Sequence, residues 1–430
     1  MLRRVFEDGA WADRALHGEA RRLGLDPRDR ALAMRLAYGA VQRRATLDHV
    51  IERLAGRPVA RLEPLVLAAL RLGVYQLAYA DRVPAHAAVG ESVELVKRAS
   101  PGGAKLVNAV LRRAAAEAAG LVAALGDATP EQAALRHSHP DWIAALWWDA
   151  LGPDDARALM AADNEPAESV LRVNTLRTDP AALAARLGVG SHPAPGLPEA
   201  LMLEGPFDAF AAPEWNEGML MPQSRAAITV GRLLAPRPGE RVLDLCAAPG
   251  AKATHLAALM EGRGELVAVE RHPGRAEALR RTAARMGAAV EVRVADAAEP
   301  QESGRYDRVL VDPPCSDLGT LASRPDARWR KPQDLPRRLA REQAAILRAG
   351  AAALRPGGTL VYSTCTISAV ENEDVVQAFL AERADFRADD LRFDVPLWNH
   401  ARVPGFAQTF PHRDRTEGFF IARLRREGAG

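Results

Sequence analysis

Apolar residues recur every three to four positions along the first third of the chain, gather in short β-branched runs along the last third, and do both in between. RDRALAMRLAYGAVQRRATLDHVIERL, LEPLVLAALRLGVYQLAYA, AAVGESVELVKRAS and AKLVNAVLRRAAAEAAG each give a helix one apolar face, so residues 1–127 are predicted to form an all-α domain. Pro84, Pro101 with Gly102 and Gly103, and Gly120 supply the breaks between these helices. Residues 128–235 combine helical stretches (DWIAALWWDAL, PDDARALMAAD, PAALAARLG) with a strand-like SVLRVNT, which predicts a small α+β connector. Over 236–430, short β runs alternate with helical stretches such as RAEALRRTAARMG and LPRRLAREQAAILRAGAAAL, the βαβ pattern of a doubly wound, Rossmann-like α/β sheet.

The composition, 48% hydrophobic and 26% charged over 430 residues, is that of an ordinary globular chain of two or three domains. No window approaches the roughly 20 apolar residues of a membrane span. MLRRVFEDGAWADRAL sets acids among its first turns, against a signal peptide, so a cytoplasmic protein is expected. The net charge of +2 is uneven: residues 1–127 carry 20 Lys+Arg against 14 Asp+Glu, which gives nucleic-acid binding a modest edge there.

The three cysteines narrow the picture. Cys246 lies in DLCAAPGAK, Cys315 in DPPCSDLGT and Cys365 in YSTCTIS, each after a β-branched run, so the thiols are expected where parallel strands end. Singly, each would read as a small buried hydrophobe; three in such motifs read as chemistry. An odd number of thiols argues against a disulfide framework, and without CxxC or HxxxH no metal site is expected.

RVLDLCAAPGAKATHLAAL reads as strand, glycine-containing turn and helix, yet contains neither G-x-x-x-x-G-K-[ST] nor G-x-G-x-x-G, so a nucleoside ligand without a phosphate requirement is preferred. ELVAVE ends on Glu270, 26 residues after Asp244, and VEVRVAD ends on Asp296 another 26 on. An acid at the end of the second strand suits ribose hydroxyls, and Asp296 suits an adenine amino group; capping of the following helices is the plainer alternative for either. Together with the RPGG turn at 355–358, these features point to S-adenosyl-L-methionine. Lys252 stands in the AAPGAK turn of a chain with 53 arginines and four lysines, where a compact ammonium is the preferred donor.

Thiols beside a methyl donor suggest cytosine. Its C5 is too poor a nucleophile alone, and addition of a thiolate to C6 places electron density there. Asp312, three residues before Cys315, is placed to contact the N3/N4 edge of the base. The residues alone leave open which of Cys315 and Cys365 attacks.

DLCAAPGAKATHL, VAVE, the VAD ending at Asp296, VDPPCSDLGTLASRPDARW, LRPGGTLVYSTCT followed by ENEDVV, and HRDRTEGFFIARLRR resemble successive motifs of the Sun/Nop family of RNA cytosine-5 methyltransferases, over residues 220–426. VPAHAAVGESVELVKR and KLVNAVLRR resemble a NusB-like RNA-binding fold, and the pairing is similar to bacterial small-subunit ribosomal RNA methyltransferases. The resemblance implies Cys365 as nucleophile, Cys315 as the thiol assisting breakdown of the adduct, and Asp312 and Lys252 at the target base. It implies a cofactor pocket of Cys246, Ala247, Ala248, Pro249, Gly250, Ala251, Lys252, Glu270, Asp296 and Asp312, and small-subunit (16S) ribosomal RNA as the partner of a monomer, with no membrane and no metal. Two positions depart from the family pattern: Ser224 follows Gln223 where an acid is usual, and Glu270 replaces Asp. SRPDARWRK, with Arg324, Arg328, Trp329 and Arg330, reads either as an RNA-contact loop or as a loop with Trp329 packed beneath it. Competing functions are a NusB-like RNA-binding or assembly factor with an inactive methyltransferase domain, a cytosine-5 enzyme for another RNA, and a DNA enzyme using Cys315.

Overall fold

The computed structural model describes residues 1–80 and 83–428. Contact density divides the chain into two compact units, Met1–Pro166 with Leu321–Lys331, and Ala167–Thr320 with Pro332–Gly430. The expected connector, 128–235, is therefore shared between them: helices Pro130–His137, Asp141–Leu151 and Pro153–Ala162 belong to the first unit, and its strands, with helices Pro180–Arg186, Pro213–Asn216 and Arg225–Leu234, to the second.

The first unit is helical. Helices Arg44–Ala55, Pro64–Tyr79, Ala85–Lys97 and Pro101–Ala123 enclose a core that includes Leu47, Ile51, Leu70, Val74, Val107 and Leu111. Gly39, in helix Pro27–Gln42, allows close approach to Pro64–Tyr79: a Cβ there would lie 2.0 Å from the Tyr75 ring. Pro84 and Pro101 do sit at helix starts, whereas Gly120 interrupts nothing, because Pro101–Ala123 runs through it. Packing of Leu111, Ala114 and Ala118 along that helix outweighs the roughly 1 kcal/mol cost of a helical glycine.

Leu321–Lys331 completes this unit. The fully buried Arg328 donates to the carbonyls of Ser138 (3.1 Å) and Asp163 (2.9 Å) and to Asn164 Oδ1 (2.9 Å), while the Trp329 indole N–H donates to Val41 O (2.8 Å). Ser138 and Asp163 are the C-caps of helices Pro130–His137 and Pro153–Ala162, whose last carbonyls need donors from elsewhere. Of the two readings of SRPDARWRK, packing holds for Arg328 and Trp329.

In the second unit, β1 (Val170–Val173), β2 (Ser191–Ala194), β3 (Leu197–Leu203) and β4 (Leu220–Pro222) form an antiparallel sheet of order β2-β3-β1-β4. The larger sheet contains β5 (Arg241–Leu245), β6 (Glu265–Val269), β7 (Glu291–Arg293), β8 (Tyr306–Val311), β9 (Leu354–Thr364), β10 (Phe386–Ala388), β11 (Ala407–Gln408) and β12 (Phe420–Arg426). Its order is β10-β12-β9-β8-β5-β6-β7, with β11 beside β12. Strands β9, β8, β5, β6 and β7 are parallel, and β12 and β10 extend the sheet antiparallel. Residues on its two faces, Leu243, Val309 and Tyr362 on one and Val242, Leu310 and Val361 on the other, join separate apolar clusters, as expected of a doubly wound sheet. The RPGG segment is not a separate turn: it lies within β9, opposite a register shift at Tyr306/Arg308. Among the described residues no helix is long and apolar enough to cross a membrane.

Candidate active site

After β5 the chain crosses to β6 and β7 on one side, then returns to place β8 and β9 on the other, so strand order reverses between β5 and β8. Doubly wound sheets bind ligands in the crevice at the carboxyl ends of such strands. Cys246 directly follows β5, Asp312 follows β8 and Cys365 follows β9, so the three motifs share that edge.

The turn after β5 bends on Cys246, at φ 66°, and on Gly250, at φ 109°, which precedes helix Ala251–Leu259. A Cβ on Gly250 would lie 2.7 Å from Leu279 in a conformation that L side chains rarely adopt. Ala247 and Ala248 are buried, and Ala248–Pro249 is a cis peptide. Burial, with the charges of Asp312, Asp244 and Glu270, pushes the Cys246 thiol up, so it stays protonated.

Lys252 and Asp312 meet across this edge. Lys252 Nζ lies 2.8 Å from Asp312 Oδ2 and 5.2 Å from the centre of the Phe419 ring, and Ser363 Oγ donates to Asp312 Oδ1 at 2.9 Å. Burial alone would lower the Lys252 pKa. The charge and hydrogen bond of Asp312, with Cys365 and Asp244, overcome that and raise it, keeping the ammonium charged. Asp244 is fully buried and neither of its carboxylate oxygens has a hydrogen-bond partner. Burial and the Asp312 charge push its pKa well up against the pull of Lys252.

The outer acids differ from expectation. Glu270 is buried, and its Oε1 accepts from the His272 N–H at 2.9 Å, so part of the carboxylate does serve the following turn. Asp296 is exposed, three residues beyond the end of β7 rather than at it, and accepts from the Ala298 N–H at 2.9 Å.

Cys315 and Cys365, 50 residues apart in sequence, have their Sγ atoms 3.2 Å apart. Asp317 Oδ1 accepts from Cys365 at 3.2 Å and from Cys315 at 3.6 Å. The hydrogen bond with Cys365 favours the Cys315 thiolate, but burial and the carboxylates of Asp317 and Glu371 outweigh it and push that thiol up. Glu371, fully buried, secures the Cys315 loop by accepting from Ser316 N at 2.8 Å and from Gln343 Nε2 at 3.1 Å. Gly319 N donates to Cys365 O at 3.0 Å and Gly418 N to Gly319 O at 2.8 Å, an approach that a Cβ on Gly319 would prevent at 1.9 Å from Gly418 O. These contacts fix both thiol-bearing loops.

Sequence reasoning did not single out Asp317, Ser363, Phe419 or Glu371, nor Ser316, Gly319, Gln343 and Gly418, which hold the thiol loops. The CSD triplet was the available signal for Asp317, since an acid two residues after a rim thiol can turn back onto it. The expectation that no metal-type donor set exists does not hold as geometry: Cys315, Asp317 and Cys365 bring three ligand atoms within 4.8 Å of one another. A search for paired Cys and His could not find a thiol–carboxylate pair completed from a distant strand.

Comparison with known proteins sharpens the picture. Residues 231–425 match the 16S rRNA methyltransferase RsmB/F family, residues 1–116 the NusB family, and residues 139–209 the ferredoxin-like domain of RsmF/B-like methyltransferases. The chain is 36% identical to the probable ribosomal RNA small subunit methyltransferase B of Synechocystis sp., covering 99% of this chain and 98% of the relative. It is 39% identical to the ribosomal RNA small subunit methyltransferase B of Thermus thermophilus, covering 96% and 92%. The crystal structure of PH0851 is similar with a TM-score of 0.79 at 28% identity, over 92% of this chain and 90% of that one.

An adenosyl sulfonium suits the crevice at the carboxyl ends of β5 and β6 on two observations of this structure: the unpartnered Asp244 carboxyl group and the buried Glu270. The chain is thus an S-adenosylmethionine-dependent methyltransferase and belongs to the ribosomal RNA small subunit methyltransferase B family.

Proposed function

We propose that this enzyme methylates C5 of a cytosine in small-subunit (16S) ribosomal RNA through a covalent bond between Cys365 and C6. The observation that carries the reading is the pair of half-buried thiols 3.2 Å apart at the ends of β8 and β9, beside the Lys252–Asp312 ion pair. One thiol suffices for addition. A second within contact distance gives the adduct a group to assist its breakdown.

Cys365 adds as thiolate to C6, and the C5=C6 electron pair moves to C5. Asp312, held by Lys252 and Ser363, faces the N3/N4 edge of the base and stabilises the ring as electrons move. The cofactor, when bound, supplies an electrophilic methyl group. With the methyl on C5, the C5 proton leaves to a base, C5=C6 re-forms and the C6–S bond breaks, returning Cys365. Cys315 assists this last step. A free thiol has a pKa of about 8.5, so Cys365 needs a partner to take its proton, and Asp317 and Cys315 both lie within hydrogen-bond distance of it.

For the cofactor we assign the turn Cys246, Ala247, Ala248, Pro249, Gly250, Ala251 and Lys252, with Glu270 for the ribose, Asp296 for the adenine edge and Asp312 beside the methyl. We further assign RNA binding to residues 1–127 and 128–235 and catalysis to 236–430, in a monomer acting in the cytoplasm. A base must leave its stack for C6 to reach a thiol, so the target is unpaired or flipped.

The test is a covalent trap: wild type, Cys315→Ala and Cys365→Ala are incubated with S-adenosylmethionine and small-subunit ribosomal RNA, and denaturant-resistant adduct and 5-methylcytosine are measured. Cys315→Ala should accumulate adduct, and Cys365→Ala should give neither adduct nor product. Loss of adduct in Cys315→Ala alone would reverse the two roles. No product from wild type on any RNA would favour the binding-factor reading.

A further inference from the structure

We propose that Cys315, Asp317 and Cys365 also form a binding site for a thiophilic divalent cation such as Zn(II), and that its occupancy shuts the enzyme off. The donor set is two sulfurs and one carboxylate oxygen, all on half-buried residues. Zinc bonds of about 2.3 Å to sulfur and about 2.0–2.2 Å to oxygen set tetrahedral edges of about 3.8 Å for S···S and about 3.5 Å for S···O. The S···O distances here are 3.2 and 3.6 Å and S···S is 3.2 Å, so the sulfurs must part by about 0.6 Å and Cys365 must move about 0.3 Å from Asp317. A solvent molecule would complete the fourth position.

The frame is built in advance. Asp317 sits at φ 52°, a left-handed conformation that Asp tolerates, which turns its carboxylate back toward the thiol two residues earlier. Ser316 is tied to Glu371 and Gly319 to the Cys365 carbonyl, so the ligands start near their bound positions. Thiolates favour zinc over magnesium or calcium, which take oxygen ligands. Binding replaces two S–H bonds by two S–metal bonds and releases two protons. The sulfur lone pair that would attack C6 is then committed to the metal.

Co(II) provides a readout that needs neither RNA nor turnover. Titrated into the reduced full-length chain, it should give sulfur-to-cobalt charge-transfer absorption in the near ultraviolet and the visible bands of a tetrahedral site, saturating at one equivalent and displaced by Zn(II). Cys315→Ala and Cys365→Ala should each remove about half the charge-transfer intensity, and Asp317→Ala should weaken binding about tenfold or more while keeping that intensity. Unchanged spectra in either cysteine variant, or unchanged affinity in Asp317→Ala, would overturn the site; Cys315→Ser and Cys365→Ser serve if an alanine variant fails to fold. In methylation assays, zinc inhibition should reverse with a chelator. Reversal by a thiol-free phosphine reductant, but not by a chelator, would mean that the pair oxidises instead, and would also overturn the proposal. Because cobalt binding is read without substrate, the site survives if the cytosine-5 reading fails, and fails independently of it.

Discussion

Lys252 and Asp312 form a 2.8 Å ion pair, and both charges act on Asp244, a buried carboxyl group with no hydrogen-bond partner of its own. Lys252 is therefore the cation that pairs with the Asp312 charge while Asp244 is pushed toward its neutral form. Lys252→Met should cut the single-turnover methylation rate about 100-fold, the usual loss for one oriented electrostatic group. Lys252→Arg should restore little of it, since a planar guanidinium does not fit where an ammonium reaches Asp312 past the Phe419 ring. Rate recovery to within a fewfold by arginine would show that only the charge matters.

Asp244→Asn separates stability from function. Because burial and the Asp312 charge push the Asp244 pKa well up, replacing the carboxyl by an amide removes no charge, and the melting temperature of the ligand-free protein should change little. The same change should weaken S-adenosylmethionine binding at least tenfold and shrink the cofactor-induced thermal shift. A destabilised ligand-free variant would place the Asp244 carboxylate in a structural role instead.

Acid should loosen the second unit through His255 and Glu199, which are buried 2.8 Å apart. Burial pushes the His255 pKa down from 6.5 to about 4, with Arg172 and Arg232 adding to the effect of burial and Glu199 opposing it. Below pH 6.5 the unfolded chain takes up a proton that folded His255 refuses, so stability falls as pH drops from about 6.5 to about 4 and the loss levels off below that. The contribution is about 3 kcal/mol. Burial alone would raise the Glu199 pKa, but its bonds to His255 and Arg232 depress it, so its own stabilisation is lost only at still lower pH. Urea unfolding across this range should show the slope, and His255→Gln should flatten it.

Arg328→Ala should cost the first unit about 3–5 kcal/mol, because three buried carbonyls and the half-buried Asn164 side chain lose their donor at once. Arg324→Ala, at an exposed position of the same segment, should leave the melting temperature unchanged. Equal thermal stability of the two variants would return this loop to the RNA-contact reading.

How much of this could be read beforehand follows from which interactions are local. The helix periods of the first unit, the βαβ alternation and the strand-end position of each thiol depend on residues within a few positions of one another, and the sequence displays them. The contact between Cys315 and Cys365 depends on β8 and β9 pairing in parallel, and no residue near either thiol announces it. Ser363 on Asp312 and Phe419 under Lys252 are hidden for the same reason. Asp296 misled because VEVRVAD looks like one continuous strand, whereas pairing with β6 stops at Arg293. Arg328 misled because an arginine between aspartate and tryptophan looks solvated, when the carbonyl ends of two helices await its guanidinium.

Because Leu321–Lys331 completes the first unit, that unit is not contiguous in the message that encodes it. A nascent chain that has just presented Pro166 still lacks Arg328 and Trp329, so the acceptors at Ser138, Asp163 and Val41 stay unmet while the 154 residues before Leu321, and those leading on to Arg328, are translated. The helical unit is thus sealed late, after β8 and the Cys315 loop have left the ribosome, and a fragment cut at residue 166 is a half-closed protein rather than a free-standing module.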